Sequence, residues 1–196
     1  MADELAIARS ELILGGQRSG KSRRAESLAL AWLAQSPQHQ AVLIATARPG
    51  DDEMRERIAR HQTDRAERVP GMQTVEEPLQ LAEMLALHSR PRTLVVVDCL
   101  TLWLTNLLMP AEEFKKKEAV AHDPRAQAAM TLVAIKQAAG PVVLVGNEIG
   151  LGVIPLGRET RAFVDELGRL NQDVAQVCER VTLMVAGLPL TLKGQP

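Results

Sequence analysis

The sequence predicts an α/β fold, a mainly parallel sheet flanked by helices, in one domain over residues 1–196. Two observations lead there. Five short runs, Leu12–Leu14, Ala41–Thr46, Leu94–Asp98, Val142–Val145 and Val181–Val185, are rich in Val, Ile and Leu and mostly lack polar alternation. Strands covered on both faces read that way. Helical patterns lie between the runs, and strands alternating with helices build a parallel sheet. A chain of 196 residues suits one full core, and no repeat or linker divides it.

The first strand runs into Gly15-Gly16-Gln17-Arg18-Ser19-Gly20-Lys21-Ser22. This is a phosphate-binding loop without a mismatch, set between an apolar strand and a helix. Gly15 and Gly20 let the backbone turn and approach oxygen atoms closely. Lys21 reaches the outer phosphates, and the Ser22 hydroxyl can hold Mg²⁺. The helix over 21–34 places Ala25, Leu28 and Trp32 at helical spacing.

The second strand ends at Ala45-Thr46-Ala47, and Gly50-Asp51-Asp52-Glu53 starts a helix with acids in its first turn. On a helical wheel Met54, Ile58 and His61 share one arc, with Arg57 and Arg65 four residues to either side of His61. Two roles stay open for His61. It can be a packing or surface histidine. It can also be a nucleophile, kept neutral by the flanking cations and aimed at the phosphates they attract. His39, His88 and His122 sit in loop-like or charged contexts and receive no role.

Further helices are expected over 77–88 and 125–139. Asp98 ends the third strand, either as a turn residue or as the acid that holds a metal near the phosphates. The segment 109–125, MPAEEFKKKEAVAHDPR, is an exposed helical excursion or a mobile lid. The fourth strand ends in Asn147-Glu148, followed by Gly150, Gly152 and Pro155. A polar pair there faces the ligand crevice of an open α/β sheet, unless the stretch is simply a glycine-rich turn. A last helix over 159–179 has Phe163, Leu167, Leu170, Val174 and Val177 on one stripe. Arg158, Arg161, Asp165 and Arg169 form another face, either solvated and salt-bridged or in contact with an anion or a neighbouring subunit.

Bulk properties exclude some functions. Net charge is −1, which gives no electrostatic pull toward nucleic acid or anionic membrane. There is no tyrosine, and only two tryptophans and two phenylalanines offer stacking surface. Cys99 and Cys178 lie in apolar surroundings without metal-ligand spacing and are expected to be buried, reduced thiols. The acidic start MADELAIARSEL is unlike a signal peptide. No uncharged apolar run reaches ~18 residues. A cytoplasmic protein without membrane insertion or nucleic-acid partner is expected.

Four stretches together, GGQRSGKS, IATA…DDEMRERIARH…R, VVDCLTLWLTNLL and NEIGLGVIP…GRLNQ, closely resemble one family over roughly residues 11–193. It is the bifunctional adenosylcobinamide kinase / adenosylcobinamide-phosphate guanylyltransferase family of cobalamin biosynthesis. The resemblance implies a RecA-like phosphate-loop NTPase domain assembled as a homotrimer. It implies phosphorylation of adenosylcobinamide with ATP or GTP. GMP would then pass from GTP, through a guanylylated histidine, to adenosylcobinamide phosphate, giving adenosyl-GDP-cobinamide and pyrophosphate. The family histidine falls on His61. Nucleotide contacts fall on Gly15–Ser22, on Ala45, Thr46 and Ala47, on Gln62, Thr63, Asp64 and Arg65, on Glu76 and on Asp98, with Mg²⁺ on Ser22 and Asp98. Some relatives have two adjacent histidines where this chain has Arg60-His61, so the nucleophile is less ambiguous here. The residues by themselves also admit a phosphate-loop ATPase that moves a partner, or a simple small-molecule kinase; His61 has no chemical role in either.

Overall fold

A computed structural model of the chain describes residues 5–50, 52–109, 123–153 and 155–195; the side chains of Glu53, Met54, Arg57, Ile58 and His61 are outside the described set. Strands β1 (Ser10–Gly15), β2 (Gln40–Ala45), β3 (Gln73–Glu76), β4 (Thr93–Asp98), β5 (Val142–Val145), β6 (Arg180–Val185) and β7 (Leu188–Lys193) form one sheet in the order β3-β2-β4-β5-β1-β6-β7. All neighbours are parallel except β6 and β7, which are antiparallel. The described helices are α1 (Lys21–Gln35), α2 (Asp52–Arg68), α3 (Leu81–His88), α4 (Leu100–Leu108), α5 (Pro124–Gln137) and α6 (Arg158–Val177).

The absence of polar alternation in the central strands has its expected cause. Successive side chains point to opposite faces, and both faces are covered. Leu12, Val95, Val97, Val142 and Leu144 pack with Leu81, Trp103, Leu167 and Val174 from α3, α4 and α6. Ile13, Leu43, Val96 and Val143 pack on the other side with Ala25, Leu28 and Ala29 of α1. The apolar stripe of α6 buries Leu167, Leu170 and Val174, with Phe163 and Val177 partly buried against the same core.

Three elements are additional to those expected, and two others differ in their bounds. Strand β3 lies at one edge, with three of its four residues exposed, so no apolar run marks it. Strand β7 is the opposite edge, and Pro189 stands in it, where no ladder is interrupted on its outer side. Helix α4 follows β4 after one residue, so strand and helix merge into a single apolar run. Expected helix 77–88 begins only at Leu81, because the Glu77 carboxylate accepts from Leu79 N and Gln80 N at 2.9 Å and holds 77–80 as a turn. Thr46, expected at the end of its strand, lies just beyond β2. Of segment 109–125, residues 110–122 are outside the described set; Asp123 caps α5 by accepting from Arg125 N at 3.1 Å.

His39 is structural. It stacks on Trp32 with ring centroids 3.8 Å apart. Both cysteines are buried free thiols. Burial pushes Cys99 up to about 11 and Cys178 up to about 12, with the Asp98 charge adding to the rise at Cys99. The thiolate is the reactive form, so at pH 8 the native protein is expected to resist iodoacetamide. Mass spectrometry should find both thiols alkylated only after denaturation; rapid labelling of the native chain would contradict this placement.

Candidate functional site

The strand register fixes where the expected residues meet. Glu76, Ala45, Asp98, Val145 and Ile13 follow one another across β3, β2, β4, β5 and β1. Asp98 therefore stands at the C-terminal edge of the sheet, in the row from which the phosphate loop departs. One strand, β5, separates the loop strand from the acid strand.

The loop is shaped by its glycines. Gly15 has φ 154°, and a Cβ there would meet Ser19 Oγ at 2.5 Å and the Met184 carbonyl at 2.6 Å. Gly20 has φ 102° and caps the start of α1. Only glycine adopts such angles readily. Ser19 N donates to Gly16 O at 3.3 Å, and Gly187 N donates to Ser19 O at 3.0 Å, which ties the loop to the β6–β7 turn. Lys21, first residue of α1, is buried and donates from Nζ to Gly16 O at 2.7 Å. Burial holds its ammonium below the usual lysine range, against the opposing influence of Cys99 and Asp98.

Asp98 joins the loop to α2. Its Oδ2 accepts from Ser22 Oγ at 3.3 Å and lies 3.8 Å from an Nη of the buried Arg65. His61 lies one helical turn before Arg65 in α2; its side chain is outside the described residues. Two buried polar atoms here have no protein partner, Ser19 Oγ and Arg65 Nε. Buried donors are normally satisfied, so both suit a polyanionic ligand in the loop.

The other expected residues divide. Gln62 Nε2 donates to Glu76 Oε1 at 3.0 Å, so these two meet at the β3 edge. They lie four strand spacings from β1, ~20 Å at ordinary sheet geometry, and so do not touch the phosphate loop. Thr63 bonds back to Ala59 O at 3.1 Å, and Asp64 pairs with Arg68 at 3.2 Å. Thr46 is fully buried; its hydroxyl donates to Cys99 O at 2.7 Å and accepts from Cys99 N at 2.9 Å. Its role is to lock the end of β2 to the residue after Asp98. On α6, Arg161 donates to Pro155 O and Leu156 O, and Arg169 pairs with Glu166 at 2.5 Å.

Three supporting residues were not singled out from sequence. Asn106 Nδ2 donates to Thr46 O at 2.8 Å and to Pro78 O at 3.1 Å, holding the loop after β2. Thr101 Oγ1 accepts from Asn147 N at 2.8 Å, and Asn171 Nδ2 donates to Asn147 O at 3.1 Å. The available signal for Asn106 was a polar residue inside an apolar stretch, LTNLL. Thr101 and Asn171 together fix the exit of β5, where Glu148 N donates to Gly15 O at 3.1 Å. Beyond it Leu151, Val153 and Leu156 are exposed.

A divalent cation fits this arrangement. Ser22 and Asp98 offer converging hard oxygens, and no group of three or more His, Cys, Asp or Glu that could hold a metal occurs among the described residues. Mg²⁺ is usually held that way, by one or two protein oxygens together with substrate phosphates and water.

Comparison with known proteins agrees with this geometry. Residues 11–192 match the family model for cobinamide kinase / cobinamide phosphate guanyltransferase. The chain is 48% identical over 190 residues to the bifunctional adenosylcobalamin biosynthesis protein CobP of Pseudomonas aeruginosa, covering 95% of this chain and 98% of that protein. It is 35% identical to CobU of Escherichia coli and 34% identical to CobU of Salmonella typhimurium, each over 187 residues and covering 93% of this chain and 98% of the relative. In fold, it is similar to the flagellar accessory protein FlaH of Methanocaldococcus jannaschii, with a TM-score of 0.53 at 10% identity over 97% of this chain and 81% of that one. The mostly parallel sheet with flanking helices is thus a RecA-like phosphate-loop fold. No described helix is long and apolar enough to cross a membrane.

Proposed function

Because the chain belongs to the cobinamide kinase / cobinamide phosphate guanyltransferase family, we propose that it carries both reactions on one domain spanning 1–196. The first is phosphorylation of adenosylcobinamide by ATP or GTP. The second moves GMP from GTP through His61 to the new phosphate, giving adenosyl-GDP-cobinamide. The observation that carries this reading is the Arg65–Asp98 contact at 3.8 Å. It docks α2, one turn from His61, on the acid that serves the phosphate loop.

In the first reaction the loop N–H groups and Lys21 hold the phosphates while the acceptor alcohol attacks the γ-phosphorus. Positioning dominates such a step. In the second, a neutral nitrogen of His61 attacks the α-phosphorus of GTP. The N–P bond forms as the bond to pyrophosphate breaks. An oxygen of the acceptor phosphate then attacks the same phosphorus, and the N–P bond breaks to release His61. Two displacements replace one difficult transfer. Mg²⁺ held on Ser22 and Asp98 would supply positive charge to the phosphate oxygens. Glu76 and Gln62, paired at the far end of the row, would meet the base of an extended nucleotide.

The test is product analysis. With adenosylcobinamide, Mg²⁺ and GTP, mass spectrometry should find the phosphate ester first and the GDP derivative second, with one pyrophosphate per GMP transferred. Hydrolysis of GTP with an unchanged corrinoid would favour the ATPase reading instead. The same reading carries a cytoplasmic homotrimer, which sedimentation equilibrium should record as three chain masses.

A further inference from the structure

The phosphorylation step needs something that the site as described has not supplied, a group to take the proton from the acceptor alcohol. We propose that Glu148 is that general base. The inference rests on the two-reaction reading above.

Strand β5 lies between β1 and β4, so its exit opens between the phosphate loop and Asp98. The Glu148 amide donates to the carbonyl of Gly15, the first loop residue, at 3.1 Å. Asn147, immediately before it, is held from two sides by Thr101 and Asn171. The backbone under Glu148 is therefore fixed relative to the phosphates, as a group that must meet a reacting hydrogen requires.

Other described carboxylates are already committed elsewhere. Asp98 is engaged by Ser22 and Arg65. Glu76 is held by Gln62, and Glu77 caps its own turn. Glu26 is paired with Arg68, and Glu11 is buried between Arg24 and Arg180. Glu148 is half-buried and has no cation within salt-bridge distance among the described residues. Among the described residues its one side-chain bond is Oε1 accepting from Gly150 N at 2.8 Å. That bond orients the carboxylate and leaves its other oxygen for a ligand.

The chemistry then separates the two reactions. In the kinase step the alcohol oxygen forms a bond to the γ-phosphorus, the bond to the β,γ-bridging oxygen breaks, and the hydroxyl proton passes to the Glu148 carboxylate. In guanylyl transfer the attacking atom is an oxygen of a phosphate monoester, already ionised near neutral pH. No proton has to be removed, so Glu148 serves the first reaction only.

Glu148→Gln is the informative variant, because the amide oxygen can still accept from Gly150 N and so keeps the turn. Phosphorylation of adenosylcobinamide by ATP should lose about 10²-fold or more in kcat, with KM for ATP nearly unchanged. GMP transfer from GTP to pre-phosphorylated acceptor should stay at the wild-type rate, which also reports that the variant is folded. Retained phosphorylation in Glu148→Gln, or a parallel loss of both activities, overturns the inference. Wild-type protein that fails to phosphorylate the alcohol overturns the proposed function itself, and this inference with it.

Discussion

Replacing His61 by alanine is expected to abolish covalent GMP on the protein. Incubated with Mg²⁺ and GTP labelled on the α-phosphate, then denatured, the wild type should retain label that is stable in base and lost in acid, as a phosphoramidate is. The alanine variant should retain none. Guanylyl transfer should fall by on the order of 10⁴-fold or more, because removing a nucleophile removes the covalent route rather than weakening it. Phosphorylation of adenosylcobinamide should persist, since that step asks nothing of the imidazole. The structural basis is the position of α2. Arg65, four residues after His61, is buried against Asp98, so this helix belongs to the phosphate site rather than to a remote surface. Label on both proteins would move the nucleophile elsewhere. Label on neither, with GTP bound, would remove the covalent mechanism and leave a kinase.

The central fold was legible because its physics is local. Strands covered on both faces have no alternation to hide them, and Leu12–Leu14 and Val142–Val145 lie within or coincide with β1 and β5. The phosphate loop was legible for a similar reason: Gly15 and Gly20 stand where the backbone takes angles that other residues resist. The edges were not legible. QTVE offers one apolar residue in four, and LPLTLK, though its leucines alternate, carries a proline that argues against a strand. Helix α4 escaped notice because burial on several sides erases the change from a period of 2 to one of 3.6, and its cap is a cysteine accepting from Leu102 N at 3.5 Å rather than Ser, Thr, Asp or Asn.

The candidate site divides along the same line. The phosphate-loop pattern and the acid ending a strand singled out Lys21, Ser22 and Asp98, and the structure brings Ser22 and Asp98 within 3.3 Å. Sequence paired Arg65 with His61, one turn away on the same helix. The structure pairs it with Asp98 across 33 positions of chain, a contact that only the crossover order creates. Asn106, Thr101 and Asn171 were missed because their work is done on backbone carbonyls and amides of other segments, and nothing in a single sequence says which carbonyl an asparagine will meet.

Substituting Lys21 with methionine should separate stability from activity in opposite directions. The ammonium is buried, and burial depresses its affinity for a proton relative to the unfolded chain. A lysine whose folded value is lowered carries an unfavourable charge in the folded state at any pH below its unfolded value, and that includes neutral pH. Methionine fills comparable space without that charge. In the absence of nucleotide the variant should therefore melt no lower than wild type at pH 7. Its turnover should behave oppositely. Nζ rests on the Gly16 carbonyl at 2.7 Å, inside the loop, where it can exchange a neutral acceptor for phosphate oxygens whose charge grows during transfer. Loss of one such donor costs on the order of 10²–10³-fold in kcat, and both proposed reactions would use the same loop, so both should fall. Lys21→Arg should not restore them, because a planar fork cannot replace a compact charge in so confined a place. Thermal melts with and without GTP make the check: ligand stabilises through differential binding, so the upward shift seen for wild type should shrink or vanish in Lys21→Met. A variant that keeps the wild-type shift and turns over within a few-fold of wild type would mean that the lysine only packs the loop.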